Sequence, residues 1–201
     1  MTLTWHVGVA TMVTPAHAGH LGMLRNWIRS GAAEGSFDRE LAQDSPDSTL
    51  FFANLRQALT VGYFVQEDPR GRLYTSPASG YMYYAEHVGD PSRPIGFGLF
   101  KALPRMGYEL WLTGIDNAWR GRGHGHSMLT AILGTPAGKL AYVVRVDPKG
   151  ASGAAMQHLM EALDFHIVRE TADLRWFVRG DAPADIAVRI RNAPVVRPIA
   201  H

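Results

Sequence analysis

The feature that most constrains this chain is a corner rich in arginine and glycine that joins a hydrophobic strand to a helix. The strand is predicted over residues 107–116, and the corner reads Arg120-Gly-Arg-Gly-His-Gly125. Because glycine has no Cβ, a ligand can come close to this backbone. The first amides of a helix lack acceptors within the helix, and the helix dipole adds about half a positive charge there. The corner therefore predicts a site for an anion such as a pyrophosphate.

Two other phosphate-binding motifs do not fit this segment. A P-loop needs a lysine directly after its last glycine, and no lysine lies within ten residues of the corner. A dinucleotide fold places Gly-x-Gly-x-x-Gly after its first strand, whereas these glycines alternate and lie beyond mid-chain. The remaining alternative is an ordinary tight turn into a surface helix.

Composition excludes several classes of protein. The chain has no cysteine, which excludes disulfides, thiolate metal sites and cysteine nucleophiles. Its 20 cationic and 18 acidic side chains nearly balance, so the charge requires neither a nucleic acid nor a membrane as partner. The first residues show no signal-peptide pattern, and no apolar stretch reaches the about 18 residues of a membrane span. We expect a cytoplasmic protein.

The order of the predicted elements indicates a mixed α+β sheet. A strand and two helices precede a run of strands, which a helix, a strand, a second helix and two closing strands follow. The predicted strands cover 5–14, 62–65, 73–86, 94–103, 107–116, 140–146, 165–168 and 174–178, and the helices cover 17–28, 123–133 and 152–163, with another that Asp47 or Ser48 caps. We expect one domain over residues 1–180 and a C-terminal extension of open role over 181–201, which begins like a linker.

The corner resembles a family signature. Its residues match the Arg/Gln-x-x-Gly-x-Gly/Ala pattern of the GNAT superfamily of acyl-CoA N-acyltransferases. The resemblance implies a three-layer α/β/α fold, in which a mostly antiparallel sheet is splayed between two central parallel strands. It also implies acetyl-CoA as co-substrate and no metal. The residues that it assigns to the pyrophosphate of coenzyme A are Arg120, Gly121, Arg122, Gly123, His124 and Gly125, together with Ser127.

The same resemblance assigns a role to the end of the strand. In the family, strand backbone five residues before the signature arginine hydrogen-bonds the pantetheine arm, and that position is Ile115 here. We predict that the neighbouring Gly114 forms a β-bulge that separates this strand from its parallel neighbour.

Glu109 is the candidate catalytic base. Strand alternation predicts that one face carries Glu109, Trp111 and Thr113 and that the other carries Tyr108, Leu110 and Leu112. A carboxylate within an apolar strand is costly unless it is exposed, paired or useful. Glu109 lies eleven residues before Arg120, and this spacing resembles that of the glutamate through which histone-acetylating members of the family deprotonate the amine. An exposed or salt-bridged strand glutamate is the alternative.

A second resemblance concerns the proton donor. Residues 159–165 are similar to the end of the family pattern Asn-x-x-Ala-x-x-Leu-Tyr-x-x-x-Gly-Phe, but Met160 stands at the tyrosine that usually protonates the departing thiolate. Methionine cannot donate a proton. Ser152, His158 and Tyr142 are the substitute candidates.

The resemblance predicts transfer of an acetyl group from acetyl-CoA to a small-molecule or peptide amine. Two alternatives stay open: a toxin-type acetyltransferase that acts on charged tRNA, and a non-catalytic acyl-CoA-binding protein. His124 and His126 diverge at a helix start and form a poor metal pair. No membrane partner is expected, and a homodimer stays possible.

Overall fold

One mixed sheet of eight strands organises the chain in the computed structural model, which describes residues 11–67, 71–85 and 92–192. The strands are β1 (Thr11–Pro15), β2 (Tyr63–Glu67), β3 (Leu73–Ala85), β4 (Gly96–Leu103), β5 (Gly107–Ile115), β6 (Ala141–Val146), β7 (Phe165–Glu170) and β8 (Arg175–Arg179). The helices are α1 (Leu21–Ala33), α2 (Pro46–Val61), α3 (His124–Leu133), α4 (Pro136–Lys139), α5 (Gly153–Ala162) and α6 (Ala184–Asn192). Most of the predicted first strand over 5–14 lies outside the described residues.

The strands are ordered β1-β3-β4-β5-β6-β8-β7, and β2 pairs with the other half of β3. Among the described strands, β5 and β6 form the one parallel pair, and every other pair is antiparallel. The prediction of a mostly antiparallel sheet with two central parallel strands is confirmed.

Helices cover both faces of the sheet and complete the three predicted layers. The core under α3 and α5 includes Met128, Leu129, Ile132 and Met160, and the core under α1 and α2 includes Leu24, Ile28, Phe52 and Leu55. Val143 and Val144 are neighbours in β6 and therefore point to opposite faces. Val144 lies in the core under α3 and α5, while Val143 packs against α6. Hence α6 covers the same face as α1 and α2.

The strand pairing of β5 contains a bulge, but not at the predicted residue. Leu99 pairs with Leu112 and Phe100 pairs with Leu110, so Trp111 is the extra residue. The prediction of a bulge at Gly114 was wrong, because the partner strand decides where an extra residue is inserted. The bulge also breaks the predicted alternation, since Leu110 packs in the core under α3 whereas Leu112 contacts the core under α1 and α2.

Past the bulge, β5 and β6 separate. Their parallel pairing joins Tyr108 to Ala141, Glu109 to Val143 and Leu110 to Val144, and it extends no further. The edge of β5 that faces β6 is therefore unpaired over residues 111–115. This parting is the predicted splay of the central strands.

The first two helices differ from their prediction at their ends. A 3-10 turn (Ala18–His20) capped by His17 precedes α1, which continues through Ala33. Residues 29–33, beyond the predicted end of this helix, are thus helical, and buried Gly31 packs closely against Phe37. Ser45, rather than Asp47 or Ser48, caps α2, with Pro46 as its first residue.

Part of the predicted C-terminal extension packs on the sheet. Helix α6 buries Ile186 and Ile190 against Val143 and Val178. The sequence did not predict this helix, because its two buried residues span a single helical turn and give a weak periodic signal. Residues 193–201, the end of the predicted extension, lie outside the described residues.

The contribution of α6 is testable with a matched pair of variants. Ile190 is 1% exposed and Val188 is 50% exposed on the same helix. We expect Ile190→Ala to lower the free energy of unfolding by about 2–4 kcal/mol, because it leaves a cavity in the core. Val188→Ala is expected to change it by less than about 0.5 kcal/mol. Urea denaturation measures both, and equal effects would contradict the packing of α6 on the sheet.

Candidate active site

A cavity of about 600 Å³ fills the gap between β5 and β6. Its walls are the end of β5, the arginine–glycine corner, the first turn of α3, the end of β6 and one side of α5, with Ser36 and Phe37 reaching it from the opposite face. This volume is typical of small-molecule sites. The cavity exists because the two strands part, so both faces of the sheet contribute to its lining.

The corner folds so that its backbone faces this cavity. Gly121 has φ 72° and Gly123 has φ 82°, a left-handed conformation that favours glycine. Gly123 is the N-cap of α3, and no side chain caps this end of the helix. The first amides of α3 therefore have no acceptor within the helix or from an N-cap side chain. With the helix dipole, this end can bind an anionic group.

Arg120 holds the corner in place rather than reaching into open solvent. Its Nε donates to the carbonyl of Ile115 at 3.1 Å, and its Nη1 donates to Oε2 of Glu34 at 2.6 Å. The hydrogen bonds from Arg120 and then from Asn117 lower the pKa of the Glu34 carboxyl. The arginine thus links the corner to the end of β5 and to the residue that follows α1.

Glu109 lies beside the cavity but is not among its lining residues. It is 1% exposed. Arg145 donates two hydrogen bonds to the Glu109 carboxylate: Nε donates to Oε1, and Nη2 donates to Oε2 at 3.0 Å. Nζ of Lys101 lies 3.6 Å from Oε2. Both carboxylate oxygens are therefore engaged by cations, as in the salt-bridged alternative, and the role of catalytic base stays a prediction.

The cations around Glu109 contact aromatic rings. Nζ of Lys101 lies 5.1 Å from the centre of the Trp111 ring, and the guanidinium of Arg145 lies 5.2 Å from that of Trp176. Burial lowers the pKa of Lys101; Glu109 opposes this effect and Arg145 adds to it.

The chain resembles known proteins in structure rather than in sequence. No protein-family model matches the chain, and no curated protein matches it in sequence. Solved structures do match. A GNAT-family acetyltransferase from Staphylococcus aureus Mu50 aligns over 85% of this chain and 98% of its own, with a TM-score of 0.55 and 13% identity. The chain has the GNAT fold.

Two further structures with this fold contain bound ligands. A diaminobutyrate acetyltransferase from Paenibacillus lautus, in complex with L-2,4-diaminobutyric acid and coenzyme A, aligns over 85% of this chain and 95% of its own, with a TM-score of 0.51 and 19% identity. A spermidine N-acetyltransferase from Vibrio cholerae, in complex with CoA and spermine, aligns over 83% and 93%, with a TM-score of 0.52 and 11% identity. At these identities the likeness concerns the fold.

The GNAT fold brings most of the predicted cofactor residues to the cavity wall. Six of the eight predicted cofactor residues line the cavity: Ile115, Arg120, Gly121, Gly123, His124 and Gly125. Arg122 and Ser127 are exposed and do not line it. Arg122 instead stacks on Trp119, with its guanidinium 4.8 Å from the ring centre. That these residues bind coenzyme A stays a prediction.

The candidate proton donors fall in different places. Met160 is fully buried in the core under α5, so its side chain does not line the cavity. Tyr142 packs near α6 and under the guanidinium of Arg179, away from the cavity. Ser152 and His158 line the cavity, and Oγ of Ser152 lies 2.7 Å from Oγ of Ser36. Of the three substitutes, only Tyr142 is thus misplaced for proton transfer.

Several residues that line the cavity come from distant segments, and no sequence pattern predicted them. Ser36, Phe37, Asp147 and Gly150 reach the cavity through loops whose paths depend on tertiary packing. Arg145 was detectable, because it is the one charged residue in the otherwise apolar and aromatic segment Ala141–Val146.

Among the described residues, no group of three or more histidine, aspartate or glutamate side chains is placed to hold a metal. No helix in the described part is both long and apolar enough to cross a bilayer.

Proposed function

We propose that this protein is an N-acetyltransferase that moves an acetyl group from acetyl-CoA to a primary amine by direct attack in a ternary complex. One observation carries the proposal: a single cavity follows the unpaired edge of β5 to the uncapped N-terminus of α3. An anion site and a free strand edge are the two features that a diphosphate with a long amide-bearing arm requires.

The dimensions of the cavity wall support this placement. The diphosphate binds the backbone of the corner and the first turn of α3. The five residues 111–115 extend over roughly 17 Å of strand, along which the pantetheine arm lies like an added strand. The thioester then reaches the fork of the sheet, beside Leu110 and Val144, where the parallel pairing ends.

The chemistry at the fork needs few groups. The neutral amine attacks the thioester carbonyl, a C–N bond forms, and a backbone amide of β5 beside the fork holds the oxyanion of the tetrahedral intermediate. Collapse breaks the C–S bond, the nitrogen loses a proton, and the thiolate of coenzyme A accepts one. Positioning of the two substrates supplies much of the acceleration. Ser152 and His158 are the cavity-lining groups that can carry a proton to the thiolate.

Glu109 is proposed as the group that receives the amine proton through water. Because Arg145 and Lys101 engage its oxygens, it acts in this way only when one of these ion pairs opens.

The two ligand-bound structures of the same fold hold amines, diaminobutyric acid and spermine, and this supports an amine as acceptor.

Release of coenzyme A tests the proposal directly. The chain contains no cysteine, so a thiol reagent reports free coenzyme A without a protein background. We expect acetyl-CoA and a panel of primary amines to yield coenzyme A, together with an N-acetylated product identified by mass spectrometry. Release that no amine raises above the amine-free control, despite tight binding of acetyl-CoA, would indicate a binding protein without transferase activity.

A further inference from the structure

Three charged side chains, Lys101, Glu109 and Arg145, form a cluster beside the cavity, and Arg145 is the one of them that lines it. The proposed reaction uses only Glu109. Lys101 is the direct cross-strand partner of Glu109 in the β4–β5 pair. Glu109 pairs with Val143 across the parallel strands, and Arg145 lies two residues further along β6, on the same face as Val143. The sheet register itself therefore brings these three residues together.

The cluster carries more positive than negative charge. Lys101 and Arg145 share one carboxylate, and in the part of the chain that the structure describes neither of them forms an ion pair with another acidic side chain. The side chains of Lys101 and Arg145 are 18% and 32% exposed, and that of Glu109 is 2% exposed. Removing charge from water is costly unless a counter-charge compensates it. One further anion would balance the cluster.

Arg145 has donors that the pair with Glu109 does not use. A guanidinium carries five N–H donors in a planar fork, and Glu109 takes one edge of it, through Nε and Nη2. The Nη1 group belongs to the other edge, which can bind a second carboxylate. The ring of Trp176 lies against Arg145 and the ring of Trp111 against Lys101. These rings exclude water, and this strengthens any ion pair formed there.

The cluster is in reach of the reacting atoms. Arg145 follows Val144, the last residue of β6 in the parallel pairing, and it lines the cavity at the fork. Trp111, which contacts Lys101, lines the same cavity from β5. The proposed function places the thioester of acetyl-CoA at this fork.

We propose that Lys101 and Arg145 form a subsite for a carboxylate carried by one of the two substrates. The inference rests on the proposed function and gives its substrate class. The carboxylate has two sources: the carboxyl group of an amino acid whose amine is acylated, or the free carboxyl group of a dicarboxylic acyl chain on coenzyme A. In both cases the charge lies a few bonds from the thioester carbonyl.

Pairs of ligands that differ only by a carboxylate test the proposal. Calorimetry compares L-2,4-diaminobutyrate with 1,3-diaminopropane and L-ornithine with putrescine, with and without coenzyme A, and succinyl-CoA with acetyl-CoA. We expect the carboxylate-bearing member of the amine pairs or of the acyl pair to bind at least about tenfold more tightly, because a charge-assisted hydrogen bond is gained. The pair that shows the preference identifies the source. Equal binding within every pair overturns the proposal.

Variants tie the preference to the cluster. Lys101→Met leaves the Glu109–Arg145 pair intact, so we expect the protein to fold. The binding preference for the carboxylate-bearing ligand should fall at least about tenfold. Lys101→Gln gives the same readout should the Met variant not fold. Lys101→Arg is expected to retain the preference. Lys139→Met, at an exposed position on α4, is the matched control. An unchanged preference in both Lys101→Met and Lys101→Gln overturns the proposal. A preference without acetyl transfer instead refutes the proposed function alone.

Discussion

Acetyl-CoA at about one hundred times its dissociation constant is expected to raise the melting temperature of this protein by roughly 5–11 °C. A ligand that binds only the folded state at this concentration stabilises it by about 2.7 kcal/mol. For a chain of 201 residues, each kcal/mol corresponds to roughly 2–4 °C. Differential scanning fluorimetry measures the shift.

Gly125→Val is expected to abolish this shift. A Cβ at Gly125 would lie 3.3 Å from Cδ1 of Leu159 across the cavity, and the two methyl groups beyond it would fill the space in front of the first turn of α3. Gly123→Val is expected to act similarly, because its φ of 82° is strained for a β-branched residue. In these variants the amides would no longer be accessible to a phosphate.

A matched control separates the loss of binding from general damage. Gly22 lies in helix α1, is exposed, and a Cβ there would meet nothing within 4 Å. Gly22→Val introduces the same β-branched residue into a helix far from the corner in sequence and should retain the full shift. A Gly125→Val protein that acetyl-CoA still stabilises as strongly as the wild type would refute the anion site at α3.

Glu109→Gln is expected to destabilise the protein by about 3 kcal/mol, because it leaves two partly buried cations without their carboxylate. We take the lower end of the range for broken buried pairs, since the Arg145 side chain is 32% exposed. The melting temperature should fall by roughly 6–12 °C.

Glu170→Gln is the control for this change. Glu170 accepts a hydrogen bond from Arg175 at 2.7 Å, but its side chain is 50% exposed. Exposed ion pairs contribute about 0–1 kcal/mol, so the melting temperature should change by only a few degrees. A Glu109→Gln variant as stable as Glu170→Gln would show that the buried cluster contributes little to the fold.

The same variant tests catalysis. Below its melting transition, Glu109→Gln should lower kcat at least about 100-fold, the usual contribution of a general base, with a smaller change in the KM for acetyl-CoA. An unchanged kcat would exclude Glu109 from proton transfer.

The sequence predicted the parts of the molecule that depend on local chemistry. The corner was recognisable because glycines, an uncapped helix start and a preceding strand are all local features. The element order likewise follows from local periodicity, and strands β5 and β6 begin and end within about one residue of their predicted limits. The splayed sheet, in contrast, was predicted only through the resemblance of the corner to a family signature.

The features that the sequence missed depend on partners distant in the chain. The bulge at Trp111 exists only relative to β4, so no pattern within 107–116 could have placed it. The ion pairs of Glu109 depend on Lys101 and Arg145, which only the sheet register brings close. Helix α6 buries only Ile186 and Ile190, and its packing surface on β6 and β8 is visible only in three dimensions.

The separation of β5 from β6 leaves the middle of the sheet unfinished. Over residues 111–115, the edge of β5 that would normally hydrogen-bond to a neighbouring strand faces the cavity instead. A ligand with amide groups along its length could therefore form the missing backbone hydrogen bonds and connect the two halves of the sheet. Amide hydrogens of residues 111–115 should then exchange with solvent more slowly when the cofactor is bound. The bound cofactor would in this sense act as an additional strand of the sheet.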